Sequence, residues 1–191
     1  MTGFMNSDGS SLVGGLNPSG IGQAFAVDAL GKLLTQDWLR QATIAGQAFI
    51  ATNGCPSLAM NNYAMSVFNP ANSGKSILIY SVRLSNGSGS SFQQLSSVTV
   101  DPAYGNTATP VNTKLGGAAS AIATKVTYAS TNQAITGTDL IAEPGPQNTA
   151  VELLANGATI LLPAGAANGL IAYITTFGSG YVSECMRWIE F

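Results

Sequence analysis

The chain has 191 residues, 46% of them hydrophobic, with seven basic and nine acidic residues and no histidine. Its charged share of 8% is low against about 25% in an average soluble domain, and a net charge of -2 excludes the basic patch that nucleic-acid binding requires. The lack of histidine excludes Ser-His-Asp and Cys-His catalysis and His-ligated zinc or iron.

Residues 1–23 are rich in glycine and serine and poor in large apolar groups, too poor to form a core of their own. They read as an extended arm that orders by lying on a neighbouring subunit. The start, MTGFMNSDGSSLVGG, lacks the basic region and continuous apolar run of a secretory signal, so the chain is expected to stay in the compartment where it is made. From Ala24 to Gln36, the run AFAVDALGKLLTQ predicts a short hairpin turning at Asp28 to Gly31. Asp37 is placed to cap a two-turn helix, DWLRQATIA, with Trp38, Leu39 and Ala42 on one side and Gly46 as its stop. Residues 24–56 thus link the arm to a body at 57–191.

The body opens with SLAMNNYAMSVFNPANSGKSILIYSVRLSN, Ser57 to Asn86, where two apolar strands flank a polar loop, Asn69 to Lys75. Pro70, Asn72, Ser73 and Gly74 are turn formers, so the unit is a long-looped hairpin or a sheet-crossing pair. In its second strand Leu78, Tyr80, Val82 and Leu84 fall on the face expected to be buried. Ile77 and Ile79 fall on the other, which predicts that the strand begins covered on both faces. Strands are expected near 58–69, 75–86, 91–100, 119–129, 138–143, 149–154, 158–162, 169–177 and 180–190. Their regular spacing, with turn clusters and no helices between, predicts a sandwich, jelly roll or small barrel. Residues 101–117, DPAYGNTATPVNTKLGG, make a long connection and a candidate contact element. A surface this short of charge suits a subunit covered by other subunits.

Several motifs invite a chemical reading. Ser73-Gly74-Lys75-Ser76 matches the end of a phosphate-binding loop, but Asn69 stands where that loop needs its first glycine and a strand follows where it needs a helix. Asp139, Glu143 and Glu152 are close enough in sequence for a glycosidase pair or calcium site, though without EF-hand spacing. Tyr181 and Trp188 suit either a sugar site or the core. Asn86-Gly87-Ser88 is a glycosylation sequon that means little without a secretory signal. The uncharged stretch Ala158 to Phe177 has Pro163, Gly165, Asn168 and Gly169 at its centre, so it predicts two strands and a turn rather than a membrane span. Cys55 and Cys185 read as two buried free thiols, with one long-range disulfide as the alternative in an oxidising compartment.

Taken together, the Gly/Ser arm, the hairpin VDALGKLLT, the strand FNPANSGKSILIYSVRLSN and the terminal hairpin GLIAYITTFGSGYVSECMRWIEF resemble the structural proteins of tailed-bacteriophage virions. Within that group the chain is most similar to jelly-roll capsid decoration (cement) proteins, over residues 24–191. The resemblance implies an all-β fold: a jelly-roll-like β-sandwich with an extended N-terminal arm and one short helix. It also implies a homotrimer made in the host cytoplasm and fixed to the major capsid protein on the outer capsid surface. No active site, cofactor, nucleic acid or membrane goes with that role. For the interface we expect Phe4, Leu12, Val13, Leu16 and Ile21 in the arm, Trp38 on the helix, Tyr104 in the long connection, and Trp188. The alternative is a tail-fibre or baseplate β-module that recognises host glycan through exposed loops and aromatics such as Tyr104 and Trp188.

Overall fold

The computed structural model describes residues 4–5, 11–16, 22–25, 38–58, 62–87, 91–102, 106–119, 125–129, 137–146, 148–176 and 180–191. The chain divides into two units, Met1–Gln41 and Ala42–Phe191. In the first, β1 (Phe4–Met5), β2 (Ser11–Leu16) and β3 (Gly22–Phe25) form an antiparallel sheet in the order β1-β2-β3. Within the expected arm the described residues pair as a ladder, and β3 runs past residue 23, with Val13 opposite Phe25 and Leu16 opposite Gly22. A ladder satisfies backbone N–H and C=O groups even where apolar side chains are scarce. The remainder of the expected 24–36 hairpin, and Asp37, lie outside the described residues.

The helix α1 (Trp38–Ala45) spans the division between the units. It stops where the sequence predicts: Gly46 takes a φ of 72°, and the N–H groups of Gly46 and Gln47 donate to the carbonyls of Thr43 (3.0 Å) and Ala42 (2.9 Å). Glycine is favoured there because a Cβ would strain that backbone conformation.

The second unit is built from β4 (Ala48–Leu58), β5 (Asn62–Asn69), β6 (Ile77–Asn86), β7 (Ser91–Val98), β8 (Asn106–Thr107), β9 (Val111–Asn112), β10 (Lys125–Ala129), β11 (Thr138–Gly145), β12 (Thr149–Glu152), β13 (Ile160–Leu162), β14 (Asn168–Thr176) and β15 (Gly180–Glu190). They form two antiparallel sheets, β11-β7-β14-β5-β10-β8 and β12-β6-β15-β4-β9, with β13 also on β6. The long strands change sheet at each step from β4 to β7, and the return strands then pair with them in reverse: β11 with β7, β12 and β13 with β6, β14 with β5, β15 with β4. That nesting is one long antiparallel ladder folded across two sheets, the jelly-roll arrangement. The segment Ser57 to Asn86 is therefore a sheet crossing, not a hairpin.

The sandwich begins at Ala48 rather than at residue 57. Gly54 and Pro56 disguise β4 as a linker, but the ladder tolerates them through a bulge. Gly180 pairs with Leu58 and Val182 with Cys55, leaving an extra residue in β4 around Pro56, whose missing N–H costs least there. The same register sets Cys55 opposite Val182 and Cys185 opposite Thr52. Three residues along a strand is about 10 Å, beyond the roughly 4.4–6.8 Å between Cα atoms that a disulfide spans; the Cys185 thiol is free.

Between the sheets, Phe49, Met65, Val67, Ile77, Ile79, Val82, Leu84, Leu95, Leu170, Ile174, Val182, Met186 and Trp188 form the main core. The buried set of β6 is Ile77, Ile79, Val82 and Leu84, not the expected Leu78, Tyr80, Val82 and Leu84, for Leu78 and Tyr80 are only half-buried. The cause is a second bulge: Arg187 pairs with Ser81 and Trp188 with Ile79, so Tyr80 is skipped and the alternation changes phase. A second buried cluster, Ala64, Phe68, Val98, Ile171 and Tyr173, lies on the outer face of the first sheet, so β5 and β14, rather than β6, are covered on both faces. Gly169 on β14 faces that cluster, and a Cβ there would stand 2.7 Å from the Phe68 ring.

The β5–β6 crossover is held by one side chain. The buried Asn69 amide donates to the carbonyls of Lys75 (2.9 Å), Leu162 (3.2 Å) and Pro163 (3.1 Å), tying the loop to the end of β13. Replacing it, Asn69→Ala, takes the side-chain donor from the Leu162 carbonyl, while Ser73 still bonds the Lys75 carbonyl and Asn168 that of Pro163, and is expected to cost about 1–3 kcal/mol in urea unfolding; an unchanged midpoint would show that the loop is held by other means.

Candidate interface

The long connection at 101–117 does not hang free. Its β8 joins the edge of one sheet through β10, and its β9 joins the edge of the other through β4. The following turn is fixed to the end of α1. The Asn112 amide donates to the carbonyls of Gly46 (2.9 Å) and Ala118 (2.8 Å), while its oxygen accepts from the Lys114 N–H (2.9 Å). Thr113 donates to the Ala48 carbonyl through both N–H (2.9 Å) and hydroxyl (3.1 Å). Gly117 packs against Asn112 with no room for a Cβ, which would meet the amide carbon at 2.8 Å.

This locked turn presents apolar groups to solvent. Leu115 at its tip is 95% exposed, Val111 on β9 57%, and Ile44 on the adjoining helix end 57%. Long apolar side chains on a braced backbone lose little further backbone entropy when covered, which favours an interaction surface over a folding remnant. Elsewhere Val100, Leu140, Leu161, Tyr181 and Phe191 are also exposed.

The expected interface residues fare unequally. Trp38, in the first turn of α1, is 49% exposed. Phe4 lies on β1, and Leu12, Val13 and Leu16 on β2, positions known from the backbone alone; Ile21 and Tyr104 lie outside the described residues. Trp188 is corrected: it is fully buried, stacked on Phe49 at 6.1 Å between ring centroids, with its Nε1–H donating to Glu190 Oε1 at 3.1 Å. It presents nothing to a partner or a glycan, and Tyr181 points from the opposite face of β15, so the two cannot line one sugar site.

The chemical motifs also come apart. Asp139 and Glu143 stand on β11 in one sheet and Glu152 on β12 in the other. Asp139 accepts from Ser96 (2.9 Å) and Gln94, and Glu152 accepts from the Val82 N–H (2.7 Å) and the Ser81 hydroxyl (2.9 Å). Among the described residues no group of three or more Cys, Asp and Glu could hold a metal ion. The Ser73–Ser76 motif is a turn in which the Ser73 hydroxyl bonds the Lys75 carbonyl and Gly74 has a φ of 68°. Asn86 of the sequon is 1% exposed, closed to a glycosyl transferase. The uncharged stretch resolves into β13, a turn at Gly165 (φ 84°) and β14, and no helix among the described residues is long and apolar enough to cross a membrane.

One buried group went unnoticed in the sequence. Glu184 on β15 points into the sandwich, 1% exposed, with no hydrogen-bond partner for either oxygen. Burial pushes its pKa up to about 8, and the nearby Asn53 amide, short of hydrogen-bonding geometry, offsets this only in part. Ser91 and Gln93, inward-facing at the start of β7, are likewise buried with unsatisfied polar atoms. No family model, curated protein or solved structure matches the chain.

Proposed function

We propose that this chain is a virion structural protein, a capsid decoration or cement subunit that covers the major capsid protein and neighbouring copies of itself and stabilises the shell. The observation that carries this reading is the braced apolar edge of Ile44, Val111 and Leu115 on a jelly-roll body. A body that works alone gains nothing by holding a leucine at 95% exposure on a hydrogen-bonded turn. A body that covers a surface gains about 25 cal/mol for each Å² of apolar area removed from water, and the few charges of the chain leave little to desolvate. An interface of about 1,600 Å² then outweighs the losses of association, and repetition over a symmetric lattice adds avidity.

The test is co-sedimentation of the purified chain with undecorated phage shells. Saturable binding is expected, and Leu115→Asp, which disturbs no buried contact, is expected to weaken it at least tenfold with unfolding unchanged. Binding by the variant at the level of the parent chain would remove the edge from the contact.

A further inference from the structure

The outer face of the sheet β12-β6-β15-β4-β9 carries a charged feature in a chain that otherwise avoids charge. Arg83 on β6 and Arg187 on β15 are both exposed there. Cys185 lies opposite Arg83 and Arg187 follows two residues on, so the arginines are diagonal neighbours, about 7–8 Å apart at the backbone and within reach of each other's side chains. With Ser85, Ala150, Ser183 and Cys185 they line an open cleft of about 250 Å³. Both positive charges act on the same sulfur: burial pushes the Cys185 thiol up, and Arg187 and then Arg83 pull it back. Arg187 also hydrogen-bonds the Cys185 thiol, and Glu152, directly opposite Arg83 across β12 and β6, has its carboxylate engaged by the Val82 N–H and the Ser81 hydroxyl.

We propose that Arg83 and Arg187 form a docking site for one carboxylate side chain of a partner protein. The planar guanidinium fork matches a carboxylate bidentately, and of the Ser85 and Ser183 hydroxyls, bonded to each other at 2.6 Å, one keeps its O–H for the cleft. The cleft is too open to bury most of a small ligand, as small-molecule sites do. Its occupant must therefore be carried by a larger surface that makes the remaining contacts across the flat sheet. Only the partner's identity as a shell protein rests on the proposed function.

The experiment follows the arginine Nε–H resonances of the full chain by NMR while sodium acetate, sodium sulfate or a capped Gly-Asp-Gly peptide is added. Acetate and the peptide are expected to shift Arg83 and Arg187 together and saturably, with Arg40 unmoved, and Arg83→Gln is expected to abolish the Arg187 shift. Linear drift of all three arginines, or saturation by sulfate alone, would overturn the carboxylate site. In the shell assay the double variant R83Q/R187Q is expected to bind at least tenfold more weakly than the parent, and equal binding by the folded variant would overturn the docking role. If the parent chain binds no shells, the proposed function fails while the resonance shifts still decide the cleft.

Discussion

Trp188→Ala is expected to remove about 3–5 kcal/mol of stability, a large part of the roughly 5–15 kcal/mol that a domain possesses. The indole is the largest fully buried side chain among the described residues, lies between the two sheets, and stacks on Phe49 of the neighbouring strand. Its loss leaves a cavity that the stiff ladders β4-β15-β6 cannot close, and it takes a donor from Glu190, itself 1% exposed. Trp188→Phe separates the two contributions, since it keeps most of the packing and loses only the N–H. Urea unfolding is expected to place Phe between the parent and Ala; a loss below about 1 kcal/mol for Ala would mean that the aromatic does not hold the sheets together.

The second large effect is a pH dependence set by Glu184. Its folded pKa of about 8 lies above the ordinary 4.5, so between those values the native state keeps a proton that the unfolded chain has lost. Stability contributed by this group therefore falls as pH rises, by about 1.4 kcal/mol per pH unit, and levels off above pH 8. Below pH 4.5 the carboxyl is protonated in both states and has no effect. Glu184→Gln is expected to match the parent at pH 4 and to exceed it in chemical unfolding by a few kcal/mol at pH 8. A constant difference between the two proteins across that range would mean that the carboxyl is already ionised in the fold.

How far the sequence foretells the structure depends on the distance over which each cause acts. The longer strands from β5 onward, the crossover loop and the glycine stop of α1 are legible, because alternation and turn chemistry are local, whereas the two-residue β8 and β9 fall inside the connection 101–117 that reads as a loop. β4 is not legible either, since Gly54 and Pro56 look like breakers until the bulge opposite Gly180 and Val182 is known. The inward face of β6 was misread for the same reason, a bulge being a property of the pair and not of either strand. Glu184 was within reach: Val182, Met186 and Trp188 share its phase on β15, and the same alternation turns Cys185 and Arg187 outward. That Arg83 stands beside them depends on a pairing about a hundred residues distant, which no local pattern reveals. A strand-end aromatic such as Trp188 suits core and contact equally until its phase is fixed.

The most direct test of the cement role is the temperature at which undecorated phage shells break, measured with and without saturating protein. Decoration is expected to raise it, and Leu115→Asp at the same concentration to leave it near the undecorated value. Shells that break at the same temperature despite bound protein would contradict a cementing role, and shells that bind none, with saturable binding on a glycan array, would move the chain to receptor recognition in the tail.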